Sequence, residues 1–204
     1  MNEREYSPYL SKLEEYKPAV NVSGLTYVPD FISAHDQDSL LSQIDQQSWL
    51  TDLKRRVQHY GYRYDYKARA VSNDAYLGTL PAWLLALSKK LHDDRIFPSA
   101  PDQVIVNEYL PGQGISAHID CIPCFADTIA SLSLGSNTVM DFSNLKTGEK
   151  KSIVLEERSL IVLSGPARYE WQHAIPARKS DIINGIKTER ARRVSLTFRN
   201  VIRN

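Results

Sequence analysis

Two residues whose side chains can bind a metal stand two positions apart in the middle of the chain. His118 and Asp120 form an H-x-D pair shortly after a predicted strand that ends at Tyr109. In extended backbone, side chains two positions apart point to the same side, so an imidazole and a carboxylate can share one metal ion. With the later His173 they would form the two-histidine, one-carboxylate set that leaves open positions on ferrous iron. The alternative is a surface His–Asp contact and an unrelated histidine.

The last predicted strand carries two arginines on one face. Its alternate residues Arg193, Ser195, Thr197 and Arg199 share one side of the strand. Two guanidinium groups inside a β-sandwich need anionic partners, because an unpaired buried charge is very costly. A dicarboxylate bound at the open metal positions would supply both partners in the bidentate geometry that arginine favours. The alternative is an edge strand whose arginines are solvated.

A basic segment rich in tyrosine lies upstream of the metal-binding candidates. Tyr60, Tyr62, Tyr64 and Tyr66 alternate, and six basic residues but one acidic residue lie between positions 54 and 69. One extended strand would place four rings on one face, where rings can stack on bases while basic side chains contact phosphates. The alternative is a strand whose rings pack on the core.

Two cysteines, Cys121 and Cys124, directly follow Asp120 as a C-x-x-C pair. A structural zinc site needs four ligands, and a thioredoxin-like motif needs a βαβ context that the sequence lacks. We therefore expect two reduced thiols beside an oxidising centre, where they are prone to oxidation.

The elements that must position these residues follow in a simple order. Residues 1–24 are predicted to be an extended arm, followed by one domain over 25–204. This domain starts with a short strand at 25–31 and two helices, at about 33–47 and 81–92. From position 103 onward, turns separate the predicted strands VIVNEY, IASLSLG, TVMDF, KSIVL, SLIVLS and VSLTFRNV. This order predicts an α+β fold in which helices cover one face of an antiparallel β-sandwich or barrel.

The composition is that of an ordinary globular chain. Of 204 residues, 42% are hydrophobic and 24% are charged, which favours one folded domain. With no apolar stretch of membrane-spanning length, no apolar leader and only two cysteines, we predict a cytoplasmic monomer without a membrane partner. Residues 1–53 hold three basic and nine acidic residues, whereas the remaining chain is basic. This asymmetry indicates a polyanionic ligand, or else a dipolar surface without a function.

Taken together, these motifs resemble the AlkB family of Fe(II)/2-oxoglutarate-dependent dioxygenases. The similarity covers about residues 25–203, and its matching segments are HYGYRYDY, NEYLPGQGISAHID, SLSLG, SGPARYEWQH and RRVSLTFRN. GQGISAHID followed by DTIASLSLGSNTVMDF is most similar to the branch that hydroxylates a modified wobble uridine in tRNA. The resemblance implies a double-stranded β-helix (jelly-roll) with its core at about 102–203, two N-terminal helices on one face and a nucleotide-lid hairpin.

The resemblance also implies roles for single residues. His118, Asp120 and His173 match the iron ligands of the family, which take part in catalysis. The positions that match its 2-oxoglutarate contacts are Asn107, Tyr109, Arg193, Ser195 and Arg199.

On the substrate side, the resemblance implies contacts and two departures. Tyr62, Arg63 and Tyr64 match the lid that touches the nucleotide. Ile122 stands where the bacterial repair enzyme has an acidic residue that reads the base, and an aromatic residue that stacks on the flipped base is replaced near Arg55. Both departures argue against repair of the usual methylated bases.

The implied activity is hydroxylation or oxidative demethylation of a nucleic-acid base, in RNA, tRNA or alkylated DNA. It would require Fe(2+), 2-oxoglutarate and O2, and its partner would be single-stranded RNA, single-stranded DNA or tRNA. Two alternatives are the same chemistry on a protein side chain and a nucleic-acid-binding module without catalysis. Release of succinate would exclude the second alternative.

Overall fold

The computed structural model describes residues 20–72 and 74–203, so most of the predicted N-terminal arm at 1–24 lies outside the described residues. None of the described helices is long and apolar enough to cross a membrane. The elements in chain order are β1 (Leu25–Val28), α1 (Ala34–Asp45), β2 (Val57–Tyr60), α2 (Ala82–Asp93), β3 (Gln103–Tyr109), β4 (Ile115–His118), β5 (Ile129–Gly135), β6 (Thr138–Asn144), β7 (Lys150–Leu155), β8 (Leu160–Leu163), α3 (Gly165–Tyr169), β9 (Trp171–Ile175), β10 (Ser180–Ile183), β11 (Ile186–Glu189) and β12 (Arg193–Arg199).

The strands form two larger antiparallel sheets and one separate hairpin. A six-stranded sheet has the order β1-β8-β5-β12-β3-β2, and a four-stranded sheet has the order β4-β9-β6-β7. Among the described strands, β10 and β11 pair only with each other. Buried side chains of both larger sheets, including Ile161 and Leu163 of one and Met140 and Phe142 of the other, form one apolar cluster. This is the predicted β-sandwich with a jelly-roll core.

The two predicted helices cover the other face of the large sheet. Ser33 begins α1 with a capping box, since its Oγ accepts from the Asp36 N–H at 3.1 Å while Asp36 accepts from the Ser33 N–H. Ile44 of α1 and Leu84 and Leu91 of α2 are fully buried against the sheet. The helices thus pack on one face of the large sheet, and the candidate site lies on the opposite face.

Strand β12 lies between β3 and β5 and shows the strand period of two clearly. Val194, Leu196 and Phe198 belong to the cluster under the helices. Arg193 and Arg199 point to the opposite side, into a cleft between the sheets. The predicted face of alternating polar residues is therefore confirmed.

The prediction that one extended strand places four tyrosines on one face is wrong. Strand β2 ends at Tyr60, whose ring packs edge-on against Trp83 of α2 at 5.5 Å. The ring of Tyr64, in contrast, lies 5.8 Å from Phe125 on the cleft side. The reason is Gly61, whose φ of +74° bends the chain and breaks the alternation.

Gly61 therefore offers a test of how the tyrosine segment is anchored. A Cβ at Gly61 would overlap the carbonyl oxygen of Asp102, whereas Gly148, with nearly the same positive φ, has open space around it. We expect Gly148→Ala to lower the free energy of unfolding by about 1–2 kcal/mol, for the left-handed backbone alone. Gly61→Ala should cost roughly 1–3 kcal/mol more, because the overlap forces the backbone to move. Urea unfolding followed by circular dichroism measures both, and equal losses would contradict the anchoring role.

Candidate active site

A cleft of about 580 Å³ opens between the two sheets. Its walls come from the inner face of β3 and β12, from the end of β4, from β9 and from the segment at 53–69. The candidate metal ligands and the candidate co-substrate residues all line this cleft. The residues that do so are Asn107, Tyr109, His118, Asp120, His173, Arg193, Ser195 and Arg199.

The three candidate metal ligands meet because β4 and β9 pair with each other. His118, the last residue of β4, lies opposite His173 in the register, and their ring centroids are 4.4 Å apart. Asp120 follows two residues later, with its Oδ2 3.9 Å from Nε2 of His173. Pairing of two short strands thus brings residues from distant parts of the sequence to one point.

The protonation states of this group suit a divalent metal. Burial raises the pKa of Asp120, but the positive charge of Arg199 outweighs this effect, so the pKa lies well below its ordinary value. Burial lowers the pKa of His173 to about 4, which keeps its ring neutral at pH 7. Nδ1 of His118 lies 2.8 Å from the Ser116 carbonyl oxygen. Since a carbonyl only accepts, Nδ1 carries the proton and the lone pair of Nε2 is left for a metal.

The donor chemistry of the three residues fits ferrous iron. Their side chains are not close enough for a preformed metal site, and no other three His, Cys, Asp or Glu side chains of the described residues form one. Two neutral imidazole nitrogens and one carboxylate oxygen are the ligand set of non-haem iron oxygenases. Oδ1 of Asp120 accepts from Nη2 of Arg199 at 2.8 Å, which leaves Oδ2 on the side of His173. The structure thus brings these three residues together, and their role as iron ligands stays a prediction.

The opposite end of the cleft can hold a carboxylate. Arg193 is 3% exposed and donates from Nη2 to the Ser133 hydroxyl at 2.8 Å. Its Nε and Nη1 are buried without a hydrogen-bond partner, as is Nε of Arg199. Burial lowers the pKa of Arg193 to about 10, which still leaves it charged at pH 7. Because buried donors are almost always paired, these free N–H groups indicate a missing anionic ligand.

Arg168 is a functional residue that the sequence analysis did not identify. It is fully buried and donates from Nη1 to the carbonyl oxygen of Asp120 at 2.9 Å and from Nη2 to that of Cys121 at 3.2 Å. Burial lowers its pKa. Arg168 therefore holds the backbone of the turn that carries the metal-binding carboxylate.

The expectation of two reduced thiols is wrong, since Cys121 and Cys124 form a disulfide in this structure. The turn explains why they can bond. The N–H of Cys124 donates to the Cys121 carbonyl oxygen at 3.3 Å, and the two Cα atoms are 5.3 Å apart. That distance lies within the ordinary range for a disulfide.

Of the predicted substrate residues, only Tyr64 lines the cleft. Tyr62 packs against Tyr76, with ring centroids 5.1 Å apart. Arg63 and Ile122 are exposed, and neither lies on the cleft wall.

Three other residues of the tyrosine-rich segment, Arg55, Tyr66 and Arg69, line the cleft instead. Tyr66 belongs to the tyrosine alternation and Arg55 to the departure from the family pattern noted above, whereas Arg69 had no signal in the sequence beyond the density of basic residues. The bend at Gly61 turns Tyr64 and Tyr66 toward the cleft, and a pattern of alternation does not show it.

Comparisons with known proteins place this geometry in a family context. Residues 24–199 match the sequence profile of the 2OG-Fe(II) oxygenase superfamily. The uncharacterized protein L905 of Acanthamoeba polyphaga mimivirus is 39% identical over 95% of this chain and 92% of its own length. The mouse protein named tRNA (carboxymethyluridine(34)-5-O)-methyltransferase ALKBH8 is 38% identical over 88% of this chain, which spans only 31% of that protein. The solved structure of OsALKBH1 has a TM-score of 0.68 at 16% identity, covering 89% of this chain and 100% of that one, and it shows the same fold.

The metal assignment predicts the effect of removing the carboxylate. We expect Asp120→Ala to lower the affinity for Fe(II) or Mn(II) at least about tenfold, since even an outer partner of a metal ligand is commonly worth that much. Asp141→Ala is the matched control, because Asp141 accepts from Ser152 and does not line the cleft. Metal content after dialysis, measured by mass spectrometry, reports the difference. Equal metal retention in both variants would refute the assignment.

The free N–H groups of Arg193 predict a loss of co-substrate binding. Arg193→Lys keeps a charge but loses the planar fork, so the affinity for 2-oxoglutarate should fall about tenfold or more, as expected for a charged hydrogen bond. Arg192→Lys is the control, since Arg192 faces outward and pairs with Asp45 and Glu108. Calorimetric titration of the Mn(II)-loaded protein measures both. Similar losses in the two variants would place the carboxylate elsewhere.

Proposed function

We propose that this chain, which belongs to the 2OG-Fe(II) oxygenase superfamily and is homologous to AlkB proteins, oxidises a base in a nucleic-acid strand. The observation that carries the proposal is the charge of the cleft. Asp120 is the only carboxylate on the described wall, whereas four arginines line it. A 2-oxoglutarate dianion balances a divalent metal, so the excess of positive charge is left for the substrate. A polyanion such as a nucleic-acid strand would be attracted by this excess positive charge. The four arginines are Arg55, Arg69, Arg193 and Arg199.

The enzyme is a 2-oxoglutarate-dependent dioxygenase, with His118, Asp120 and His173 available to hold Fe(II). When bound, the iron supplies oxygen chemistry in which 2-oxoglutarate is decarboxylated to succinate and a substrate C–H bond is hydroxylated. The residues of the chain bind and orient the reactants. Arg193 holds the co-substrate at the buried end, and Arg199 keeps the ligand carboxylate in place through its 2.8 Å contact with Oδ1.

Tyr64 and Arg69 form the side of the cleft that we assign to the substrate. Tyr64 lies edge-on to Tyr66 at 5.1 Å between ring centroids, so one aromatic corner lines the cleft at this point. Arg69 is exposed and also lines the cleft. An aromatic corner next to an exposed guanidinium suits a base that leaves its stack while its backbone phosphate stays in solvent.

Within this class we propose tRNA as the substrate. The mouse relative is named for a modified uridine of tRNA, and the sequence resembles the AlkB branch that hydroxylates such a base. The chain spans about a third of that relative, so its named methyl transfer is not carried over. Hydroxylation of an ordinary carbon would leave a stable alcohol, whereas hydroxylation of an N-methyl group would lead to demethylation. Product mass separates these two outcomes.

The test is a comparison of substrates with the iron-loaded enzyme. Total tRNA, single-stranded RNA, single-stranded DNA and a peptide library are incubated with 2-oxoglutarate and ascorbate, then digested and examined by mass spectrometry. We expect a nucleoside from tRNA to gain one oxygen, with succinate formed in equal amount. Oxidation confined to peptides would overturn the nucleic-acid proposal.

Two variants locate the strand in the cleft. Tyr64→Ala should weaken binding by roughly 1–3 kcal/mol with little dependence on salt, because a ring carries no net charge. Arg69→Gln should reduce the slope of log affinity against log salt by about one unit or less. Lys187→Gln on β11, outside the cleft wall, is the charge control. Fluorescence anisotropy across a salt series measures all three, and equal slopes for Arg69→Gln and Lys187→Gln would place the phosphates elsewhere.

A further inference from the structure

Arg55 and Arg56 are neighbours in sequence that contact neighbouring residues of β3. Nε of Arg55 donates to Oδ1 of Asn107 at 2.9 Å, inside the cleft. Arg56 makes two hydrogen bonds, of 2.6 and 2.8 Å, with Glu108 on the helix side of the sheet. Arg56 thus has a structural ion pair, whereas Arg55 has a neutral amide as its partner. This difference indicates that Arg55 has a role other than charge pairing.

The contact with Arg55 decides which way the Asn107 amide points. An arginine Nε can only donate, so the amide oxygen must face it and the amide NH2 must face away. Asn107 is 7% exposed, and its NH2 group has no hydrogen-bond partner among the described residues. In the strand register Asn107 lies between Val57 of β2, on the side of Arg55, and Ser195 of β12, so an NH2 group that faces away from Arg55 faces the β12 side of the cleft.

Arg55 is itself held in place by two aromatic rings. Its guanidinium carbon lies 5.9 Å from the ring centroids of both Tyr66 and Tyr109. Tyr109 belongs to the co-substrate end of the cleft and Tyr66 to the tyrosine-rich segment. No ion pair of Arg55 occurs within residues 20–72 and 74–203. The side chain is thus fixed by ring contacts while its one hydrogen bond is directed at Asn107.

We propose that Arg55 is a positioning residue for the co-substrate: it locks the Asn107 amide with its two N–H donors toward 2-oxoglutarate. Without Arg55 the amide can flip and present its oxygen to a carboxylate. The flipped amide oxygen repels the carboxylate, so only the unflipped fraction binds, and an unflipped share of roughly a third to a tenth weakens the apparent affinity about three- to tenfold. The proposal concerns the co-substrate, so it can be tested without any nucleic acid and fails or holds independently of the proposed substrate.

A double-mutant cycle on 2-oxoglutarate binding tests this role. The variants are Arg55→Met, which keeps the side-chain stem between the rings, Asn107→Ala and the double variant. Affinity for 2-oxoglutarate is measured by calorimetry on the Mn(II)-loaded protein. We expect Arg55→Met to weaken binding about three- to tenfold. The same change in the Asn107→Ala background should have less than about a twofold effect, since the residue it acts through is gone.

Two further variants separate positioning from charge and from folding. Lys54→Gln removes a charge from the adjacent exposed residue and should leave the affinity unchanged. Arg55→Lys retains a donor on a similar stem and should bind within about twofold of wild type. The proposal is overturned if the effects of Arg55→Met and Asn107→Ala multiply independently, if Arg55→Met binds normally, or if Arg55→Lys is as weak as Arg55→Met.

Discussion

The burial of two positive charges on one strand constrains the whole cleft. Arg193 and Arg199 are both less than a tenth exposed, and each leaves at least one buried N–H without a partner. An ionised group in such a place is stable only if anions complete its shell. Asp120 supplies one of them, through its contact with Arg199, and the same carboxylate is the candidate metal ligand. Asp120 thus both neutralises Arg199 and serves as the candidate metal ligand. A dicarboxylate co-substrate would pair with the N–H groups of the two arginines that are still free.

Ion pairs on the helix-facing side of the same sheet stabilise the strand register on which the cleft-facing side depends. Glu108, which is 2% exposed, lies between Arg56 and Arg192, and Arg192 also pairs with Asp45 at the end of α1. These ion pairs join the segment before β2, strand β3 and the start of β12. A slip of one residue would exchange the two faces of a strand, moving Glu108 into the cleft and Asn107 out of it. Such a slip would break the ion pairs of Glu108 with Arg56 and Arg192 at the same time. These ion pairs therefore favour the register in which the cleft-facing residues of the three segments lie side by side.

The sequence predicted those parts of the site whose signal is local. The period of two in β12 and the H-x-D spacing both follow from extended backbone, and helix α1 follows from the Ser33 capping signal. Strands β4 and β9 were not predicted, because they are short and half-polar, although their pairing is what brings His118 to His173. The contact of Arg168 with the Asp120 carbonyl joins residues 48 positions apart and leaves no local pattern. Long-range pairing and the bend at Gly61 account for these misplaced residues, whereas the disulfide between Cys121 and Cys124 depends on the geometry of their turn, which the spacing alone does not give.

The turn at 120–125 shows why these long-range contacts matter. The guanidinium of Arg168 donates hydrogen bonds to the carbonyl oxygens of Asp120 and Cys121. The ring of Phe125 lies 4.8 Å from the Arg199 guanidinium carbon and 5.8 Å from the ring of Tyr64. One short turn therefore carries the candidate metal ligand Asp120 and contacts Arg199 of the co-substrate site and Tyr64 of the substrate side. Because a densely packed interior transmits strain, a displacement of this turn is expected to affect all three residues. The order of the site thus depends on a turn in which the sequence indicates Asp120 and the two cysteines but not the contacts of Phe125 and Arg168.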